Sequence, residues 1–374
     1  MTHRDKAGER SVSVPAPSPS SPTVLWYFPV SNLAGVARHA IDVAGAGALQ
    51  ARVVFLCPEG PAAAELRRRG ARVVTGPVSP DDGPLRTIPY LRRLLKQVRP
   101  QILHTHLAYA DISGALALLG LPGRRERSRL VSTEHCIPDV PGYFQRNRVD
   151  AVFKALVHRA RLYRVDRLIA VAEYTRREVL RQWGAGAPIT VIRNGVNPPE
   201  PVPVPQPGLR VLSLCRLAPE KKVDRVIRAF DLVRKEHPQA RLTVAGAGEL
   251  AGELQALARD LDLGDTISFP GHIDADAALR SHDVVVQLSE AENLSYSLLD
   301  TVVYRCGVVC TDVGGNDEIV PRWCIIDPTD ESATARAIIE QGLDLGRRPQ
   351  RDPRDLSVEE MCERISAVYR EVVG

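Results

Sequence analysis

The segment PPEPVPVPQPG, residues 198–208, divides the sequence into two similar halves. It has six prolines in eleven residues, and because each proline restricts its own φ angle, such a segment is extended and semi-rigid. On both sides of it, short apolar runs alternate with stretches of helical periodicity. We therefore interpret residues 198–208 as a linker between two domains.

The apolar runs have the character of strands that are buried on both faces of a sheet. In the first half they begin with TVLWYFPV (23–30) and continue with ARVVFLC, QILHTH, RLVSTEH and RLIAVAE. After the linker come LRVLSLCRL, ARLTVAG, DVVVQLS and GVVCTDV. Continuous apolar strands that alternate with helices are typical of parallel, doubly wound sheets. The sequence therefore predicts an α/β protein with two Rossmann-like doubly wound domains, facing a cleft in which a ligand binds at the strand ends.

These features predict five segments. They are a disordered Ser/Pro-rich tail (1–22), an N-terminal domain (23–197), the linker (198–208), a C-terminal ligand-binding domain (209–352) and a final helix (353–374). We expect the final helix to pack back toward the first domain.

Composition excludes several classes of protein. With 44% hydrophobic and 25% charged residues, the chain is globular rather than disordered. A net charge of +4 over 374 residues suits a ligand with phosphates, and we expect no nucleic-acid partner. The seven cysteines form no C-x-x-C pair, so neither a zinc motif nor a disulfide framework is indicated. With no secretion signal and no apolar run of about 20 residues, we expect a cytoplasmic protein.

Two cations follow the first strand after the linker. Arg216 ends LRVLSLCR, and Lys221 stands five residues later, before the next helix. A guanidinium fork and an ammonium group near a helix N-terminus are suited to binding a diphosphate. The alternative is a solvated, charged turn.

Two carboxylates flank a predicted helix start in SEAENLSYSLLDTVV (289–303). A helix beginning near Ser295 places Glu292 and Asp300 about 12 Å apart, given a rise of 1.5 Å per residue. The carboxylates of a retaining glycosidase need about 5–5.5 Å, so this pair does not fit that role. The spacing suits hydroxyl recognition at two ends of a ligand, with phosphates over the helix N-terminus. The alternative is an ordinary acidic helix start.

Three segments after the linker resemble the motifs of glycosyltransferase family 4, whose members have the GT-B fold. In order along the chain, they are RLAPEKK, SEAENLSYSLLD and GVVCTDVGGNDEIV. In the first half, PVSNLAGVARH resembles the glycine loop of that family, HTHLAYAD and STEH its histidine segments, and VIRNGV the segment before its linker. The similarity extends over nearly the whole chain from residue 23.

The resemblance implies a role for each matching residue. Arg216 and Lys221 would neutralise the donor diphosphate, while Glu292 and His135 would contact the transferred sugar. Asp300 would hold the ribose hydroxyls. The remaining donor-binding candidates are Gly35, Gly248, Gly271, His272, Ile273, Asn293, Leu294, Ser295 and Tyr296.

His104 and His106 are the candidates for acceptor contact. Both stand at the end of one strand, and we expect one of them to face the cleft and the other to face the packed interior. A lone histidine is more often structural than functional, so both interpretations stay open.

Several residues depart from the family pattern. Asp300 replaces the usual Glu, Ala34 replaces the first glycine of a Gly-Gly pair, and Lys222 replaces a glycine. Asn293 and Tyr296 depart from the common EGLPL sequence, which leaves the donor-sugar selectivity open.

The resemblance also implies a retaining transfer from a nucleotide-diphosphate sugar, by default a UDP-sugar, without a metal or a cofactor. A glycan, a lipid-linked molecule and a small molecule are all open as acceptors. Two basic stretches, 86–99 and 146–167, can be interpreted as amphipathic helices or as a peripheral contact with the inner face of a membrane.

Three other functions are consistent with parts of the sequence. A nucleotide-sugar epimerase would convert donor without acceptor, and a non-catalytic binding protein would release no nucleoside diphosphate. A nicotinamide-dependent oxidoreductase is indicated only by GAGELA (246–251), which fits the dinucleotide fingerprint. We interpret GAGELA as a tight strand-to-helix turn because it follows the second strand of its domain.

Overall fold

The computed structural model describes residues 21–119, 128–135, 137 and 156–374. Almost all of the predicted tail and the first part of the second basic stretch, residues 146–155, lie outside this described range. Within it, the chain forms two α/β domains, each built on one parallel sheet. The predicted fold class is confirmed.

In the described part of the chain, the first sheet has seven strands in the order β3-β2-β1-β4-β5-β6-β7, all paired in parallel. The strands are β1 Thr23–Tyr27, β2 Arg52–Cys57, β3 Val73–Thr75, β4 Ile102–His106, β5 Arg129–Glu134, β6 Arg167–Ala170 and β7 Ile189–Val191. The helices between them are α1 Gly35–Ala46, α2 Pro61–Arg68, α3 Pro84–Val98, α4 Ala108–Leu119 and α5 Glu173–Trp183. Residues 156–162 are also helical.

The second sheet has six parallel strands among the described residues, in the order β10-β9-β8-β11-β12-β13. The strands are β8 Arg210–Leu214, β9 Arg241–Ala245, β10 Ile267–Gly271, β11 Val284–Gln287, β12 Gly307–Thr311 and β13 Ile325–Ile326. The helices are α6 Val223–Glu236, α7 Ala251–Asp260, α8 Ala275–Ser281, α9 Tyr296–Val303, α10 Asn316–Ile319, α11 Glu331–Leu343 and α12 Val358–Val373.

Burial explains the sequence pattern of both domains. The central strand β1 is apolar throughout its length because helices cover both faces of the sheet, and Val24 to Tyr27 are fully buried. On α6, the apolar residues repeat at helical spacing and all face the sheet. They are Val223, Val226, Ile227, Phe230 and Val233.

The final helix, α12, packs on the first domain although it follows the second in sequence. Met361, Ile365 and Tyr369 belong to the same hydrophobic core as Trp26 and Ala37. The helix begins with a capping box between Ser357 and Glu360, which satisfies backbone donors at its N-terminus. The chain therefore returns from the second domain to the first beside the linker, where the Val358 N–H donates to Asn197 Oδ1 at 2.9 Å.

Each sheet reverses its strand order once, between β1 and β4 in the first domain and between β8 and β11 in the second. Such a reversal leaves a crevice outside the carboxyl ends of the two strands. The described cysteines are unpaired. Among the described residues, none of the helices combines the length and the apolarity needed to cross a bilayer.

Candidate active site

The predicted site residues follow the strands at these two reversals. Gly35 opens α1, which follows β1, and His106 ends β4. In the second domain Arg216 follows β8, and Glu292 follows β11. The fold therefore places residues from distant parts of each domain around two crevices.

Lys221 and Glu292 form an ion pair inside the second domain. The Lys221 Nζ atom lies 2.5 Å from Glu292 Oε1 and 3.4 Å from Ser289 Oγ. Each side chain of the pair is 18% exposed. Lys221 lies in a short 3-10 turn, and Lys222 after it has a φ of 48°. This left-handed conformation is the one that glycine adopts at least cost, which explains why glycine is usual there in the family that the sequence resembles.

Arg216 points toward solvent and pairs with a neighbour on its own turn. Its side chain is 67% exposed and forms an ion pair with Glu220. The Glu220 carbonyl in turn accepts a hydrogen bond of 2.8 Å from the backbone N–H of Glu290. Arg216 is thus near the loop that carries Glu292 but is not part of the Lys221 ion pair.

The helix α9 begins at Tyr296, one residue after its predicted start. Ser295 is its N-cap, and its hydroxyl accepts a hydrogen bond from the Leu298 N–H while donating to Gln287 Oε1 at 2.9 Å. The first N–H groups of a helix have no partner within it, so Tyr296 and Ser297 present donors at this end. Ser295 therefore holds the helix N-terminus at the end of β11.

Two side chains of α9 reach across the cleft to α1. The Tyr296 hydroxyl lies 3.1 Å from His39 Nδ1, and the Arg38 guanidinium stacks over the Tyr296 ring at 4.8 Å. Arg38 also bonds both carboxylate oxygens of Asp300, one of them at 3.0 Å. Burial alone would lower the pKa of Arg38, but the Asp300 carboxylate outweighs burial and raises it.

Asn293 and Leu294 also touch the first domain. The Asn194 Nδ2 atom donates a hydrogen bond of 3.2 Å to the Leu294 carbonyl, and the backbone N–H of Ile137 donates one of 3.5 Å to Asn293 Oδ1. Gly35 lies opposite Tyr296, where a Cβ atom would be 3.8 Å from its ring. The loop between β11 and α9 is therefore in contact with three segments of the first domain.

The histidines form one cluster at the carboxyl ends of β4 and β5. His104 and His106 lie on the same face of β4, because residues two apart on a strand share a face, and their ring centroids are 4.3 Å apart. His104 is fully buried between the Tyr369 hydroxyl at 2.6 Å and Thr133 Oγ1 at 2.7 Å, so it cannot contact an acceptor. His106 Nδ1 lies 2.9 Å from His135 Nε2.

Burial sets the charge of these histidines. It lowers the pKa of His39 to about 4, although the nearby Asn194 side chain opposes the shift. Burial also holds the pKa values of His104, His106 and His135 well below their usual range. All four imidazoles are therefore neutral at pH 7.

Four buried side-chain atoms at this junction lack a hydrogen-bond partner within the described residues. They are Nε2 of His106, Nδ2 of Asn293, and Nε2 of His39 and Oδ1 of Asn194, whose side chains lie near each other. Buried polar groups are normally satisfied, so unpartnered ones at a junction between domains are candidates for contact with ligand atoms. His39 and Asn194 were not singled out in the sequence, although His39 follows Gly35 closely in the segment that resembles a glycine loop.

A buried charged network underlies the end of β5. Arg161 bonds Asp111 through one nitrogen and Glu134 through another, and the Ser132 hydroxyl donates to Asp111 at 2.8 Å. Arg161 and its two carboxylate partners are at most 4% exposed. Because Glu134 precedes His135 directly, this network fixes the backbone from which His135 projects. The sequence offered no signal for it beyond the charged residues themselves.

The glycines of the second domain permit close backbone contact. Gly248 lies in the turn between β9 and α7, where a Cβ atom would clash with the Leu217 carbonyl. Gly271 ends β10, and its carbonyl accepts a hydrogen bond of 2.8 Å from the Gly246 N–H. His272 and Ile273 follow directly, so all of these predicted donor-binding residues lie at the carboxyl edge of the sheet.

Gly314, which the sequence analysis did not single out, supports the Glu292 loop. Its φ is 62°, and a Cβ atom there would clash with the Glu292 carbonyl. The next residue, Gly315, donates its N–H to the Asn293 carbonyl at 2.5 Å. The Gly-Gly pair in TDVGG was the available signal.

Glu318 links the two domains on the same side. Its carboxylate accepts hydrogen bonds from the backbone N–H groups of Glu173 at 3.1 Å and Tyr174 at 2.7 Å, the first two residues of α5. A carboxylate at a helix N-terminus is stabilised by the helix dipole. The contact keeps α10, and with it the Gly314 turn, against the first domain.

Comparison with known proteins agrees with this arrangement. The model of the family described as Glycosyltransferase Family 4 matches residues 33–200, and the model described as Glycosyl transferases group 1 matches residues 200–345. The two matches meet in the linker and together cover all strands of both sheets except β1. Each therefore corresponds to one of the two domains.

Individual relatives are distant. A glycogen synthase of Mycobacterium tuberculosis is 27% identical over 341 residues, covering 79% of each chain. A GDP-mannose-dependent alpha-(1-6)-phosphatidylinositol monomannoside mannosyltransferase of Mycolicibacterium smegmatis is 26% identical over 46% of this chain and 52% of its own. The structure of HepE from Anabaena, solved with UDP and glucose, superimposes with a TM-score of 0.76 at 16% identity, covering 94% of this chain and all of HepE. The chain belongs to glycosyltransferase family 4 and is a glycosyltransferase of the GT-B fold.

Proposed function

We propose that this enzyme transfers a sugar from a nucleotide-diphosphate donor to a hydroxyl acceptor with retention of configuration and without a metal ion. The donor is a UDP-sugar by default. The acceptor is a hydroxyl of a glycan, a lipid-linked molecule or a small molecule.

One observation carries the proposal. The Lys221–Glu292 pair and the N-terminus of α9 lie on one side of the cleft, and neutral histidines with unpartnered nitrogens lie on the other. The first group offers charge and N–H donors, which suit phosphate oxygens. The second group offers neutral hydrogen-bonding atoms, which suit sugar hydroxyls. A sugar joined to a diphosphate has this same polarity.

The proposed mechanism depends on electrostatic stabilisation of the leaving group. As the bond to the sugar breaks, negative charge accumulates on the diphosphate. Lys221, the N-terminus of α9 and Arg216, after its exposed side chain turns from Glu220, would stabilise that charge. Lys221 is already held in place by Glu292, so it loses little further freedom when the donor binds.

The configuration at the anomeric carbon would be retained because the acceptor attacks the same face of the sugar from which the diphosphate leaves. The acceptor hydroxyl would approach beside the departing phosphate and pass its proton to a phosphate oxygen. Glu292 would act by holding Lys221 and a sugar hydroxyl, since its Oε1 atom is engaged by the ammonium group. His135 would bind the sugar as a neutral hydrogen-bonding group, because burial keeps its pKa low.

The solved and curated relatives support a nucleotide sugar but differ in its identity. The HepE structures contain UDP and UDP-glucose, and the mycobacterial mannosyltransferase is named for GDP-mannose. Asn293 and Tyr296, which depart from the family pattern, line the same junction. We therefore expect these two residues to influence which sugar is accepted.

A panel of UDP- and GDP-sugars, scored by the shift in melting temperature, tests the donor. A ligand at 100 times its dissociation constant stabilises the folded state by about 2.7 kcal/mol. We expect one donor class to raise the melting temperature and then to release nucleoside diphosphate when hydroxyl acceptors are added. Retention is read from the anomeric configuration of the product by NMR. Donor binding without release of nucleoside diphosphate with any acceptor would contradict a catalytic role.

A further inference from the structure

Three histidines from separate segments of the first domain meet at the cleft. His39 belongs to α1, His106 ends β4, and His135 follows β5. One ring nitrogen from each lies within 4.8 Å of the other two. Three imidazoles are the protein ligands of one common class of zinc site, in which a fourth position stays open.

The distances favour a metal ion after a small movement. With metal–nitrogen bonds of about 2.0–2.1 Å, tetrahedral ligands are about 3.3 Å apart. His106 Nδ1 and His135 Nε2 are already 2.9 Å apart. His39 therefore has to approach by on the order of 1–2 Å, which a change of its side-chain torsion angles can supply.

Metal binding would replace the hydrogen bond between His106 Nδ1 and His135 Nε2, and its proton would move to the second nitrogen of the same ring. The other hydrogen bonds of the cluster leave a lone pair available on His39. The Tyr296 hydroxyl lies 3.1 Å from His39 Nδ1, while His39 Nε2 has no partner among the described residues. A partner on the outer nitrogen commonly fixes the tautomer of a metal-binding histidine. His106 is fully buried, and its Nε2 atom is likewise without a partner in the described part of the chain.

The remaining histidine of the cluster is not available as a ligand. His104, the fourth histidine of the cluster, is fully engaged by Tyr369 and Thr133. His104 therefore packs against the His106 ring rather than acting as a ligand.

We propose that His39, His106 and His135 form a binding site for one divalent late transition metal ion, such as Zn²⁺, with its open position toward the cleft. His135 is also the predicted contact of the transferred sugar. On the proposed function, metal and donor sugar compete for this imidazole, so Zn²⁺ inhibits transfer. The ion takes no part in the transfer step itself.

The untagged full chain, treated with chelator and then dialysed, tests the site without any donor. Titration with Co²⁺, followed by visible absorption, and competition of Zn²⁺ against a chromophoric chelator should give one ion per chain. Zn²⁺ should also raise the melting temperature. We expect His39→Gln and His135→Ala to lower the affinity for Zn²⁺ by at least about tenfold.

His237→Ala is the matched control, because His237 lies at the end of α6 in the other domain. It should bind Zn²⁺ like the unmodified chain. Binding of well under one ion per chain, or equal affinity in His135→Ala and the unmodified chain, would overturn the site. Melting temperatures without metal verify that each variant is folded.

The competition is tested separately with the donor identified in the panel above. Saturating donor should lower the apparent affinity for Zn²⁺. If one Zn²⁺ binds per chain and the donor does not change its affinity, the metal site is supported, but its overlap with the sugar-binding site is refuted. Absence of transferase activity would refute the proposed function without affecting the titration.

Discussion

The Arg38 guanidinium of α1 bonds both carboxylate oxygens of Asp300 in α9, across the cleft between the domains. Asp300 occupies the position at which the family resemblance places the ribose contact. Burial raises the pKa of Asp300, while the Arg38 guanidinium opposes this shift and favours the ionised form. On the proposed function, a donor ribose would have to share or displace this paired carboxylate.

The ribose contact can be tested by removing the carboxylate. Because a hydrogen bond to a charged group contributes about 1.5–3 kcal/mol, Asp300→Ala should raise the dissociation constant of the donor by roughly 10- to 100-fold. Asp300→Glu should stay within a few-fold of the unmodified enzyme. Isothermal titration calorimetry gives both values, with the exposed Asp265→Ala as the control. Equal affinity in Asp300→Ala would remove this residue from the donor site.

If Arg38 competes with ribose, then Arg38→Ala should tighten donor binding by up to about tenfold, opposite to Asp300→Ala. The ion pair is mostly buried, so its loss also costs some stability, which melting curves without donor will show. Weaker donor binding in Arg38→Ala would mean that Arg38 contacts the donor itself.

In the proposed mechanism, Lys221 contributes most to stabilising the leaving group. A charge pair at about 4 Å contributes about 4 kcal/mol at an effective dielectric constant near 20. Lys221→Ala should therefore slow turnover by roughly two to three decades. Lys235→Ala, an exposed lysine at the far end of α6, is the control and should leave turnover unchanged. Initial rates of nucleoside diphosphate release provide the measurement, and near-normal turnover in Lys221→Ala would exclude the role.

We expect Arg216 to contribute to donor binding and to contribute little to the stability of the folded state. Its side chain is 67% exposed, and its ion pair with Glu220 lies at the surface, where such pairs contribute little. We expect Arg216→Ala to change the melting temperature by less than about 1 °C and to lower kcat/KM at least about tenfold. Arg216→Lys should recover only part of the loss, because an ammonium group lacks the guanidinium fork. A large drop in melting temperature would indicate a structural role instead.

Substitution of Gly314 tests whether this residue holds the loop that carries Glu292 in place. A Cβ atom at this left-handed position clashes with the Glu292 carbonyl, so Gly314→Ala should lower both the melting temperature and the activity. Gly252→Ala is the control, because a Cβ atom there meets nothing within 4 Å in α7. That substitution should leave activity unchanged and stabilise the helix by about 0.5–1 kcal/mol. Full activity in Gly314→Ala would show that the loop adjusts freely.

The histidine cluster predicts sensitivity to mild acid. His39, His104, His106 and His135 have pKa values below about 6.5 when folded, so between pH 6.5 and 4 the unfolded chain binds more protons. Their contribution to stability is complete above pH 6.5 and falls as the pH decreases. Each extra proton costs about 1.36 kcal/mol per pH unit.

Melting temperatures at intervals from pH 7.5 to 5 should therefore decline below pH 6.5. His104→Gln keeps a polar side chain in place of the imidazole and should reduce the steepness of the decline. A constant melting temperature between pH 7 and 5 would contradict buried, neutral histidines.

The sequence by itself determined the two α/β halves, the linker and the positions of Arg216, Lys221 and Glu292 at strand ends. These features are local, because apolar runs, proline content and motif spacing are set by neighbouring residues. The sequence also predicted that a helix starts near Ser295. In the structure, the Ser295 hydroxyl caps this helix by accepting a hydrogen bond from the Leu298 N–H. The sequence did not decide which of His104 and His106 would be enclosed: His104 lies between Tyr369 and Thr133, whereas His106 contacts His135.

Only the tertiary structure decided which residues meet across the cleft. Arg38 and Asp300 are 262 positions apart, and no pattern within either segment specifies the other. His39, His106 and His135 likewise come from three segments that the parallel sheet brings to one edge. Such contacts depend on how whole domains dock, through the linker, the return of α12 and the packing of α9 against α1. That docking is set by many distributed contacts, so the local sequence contains no single signal for it.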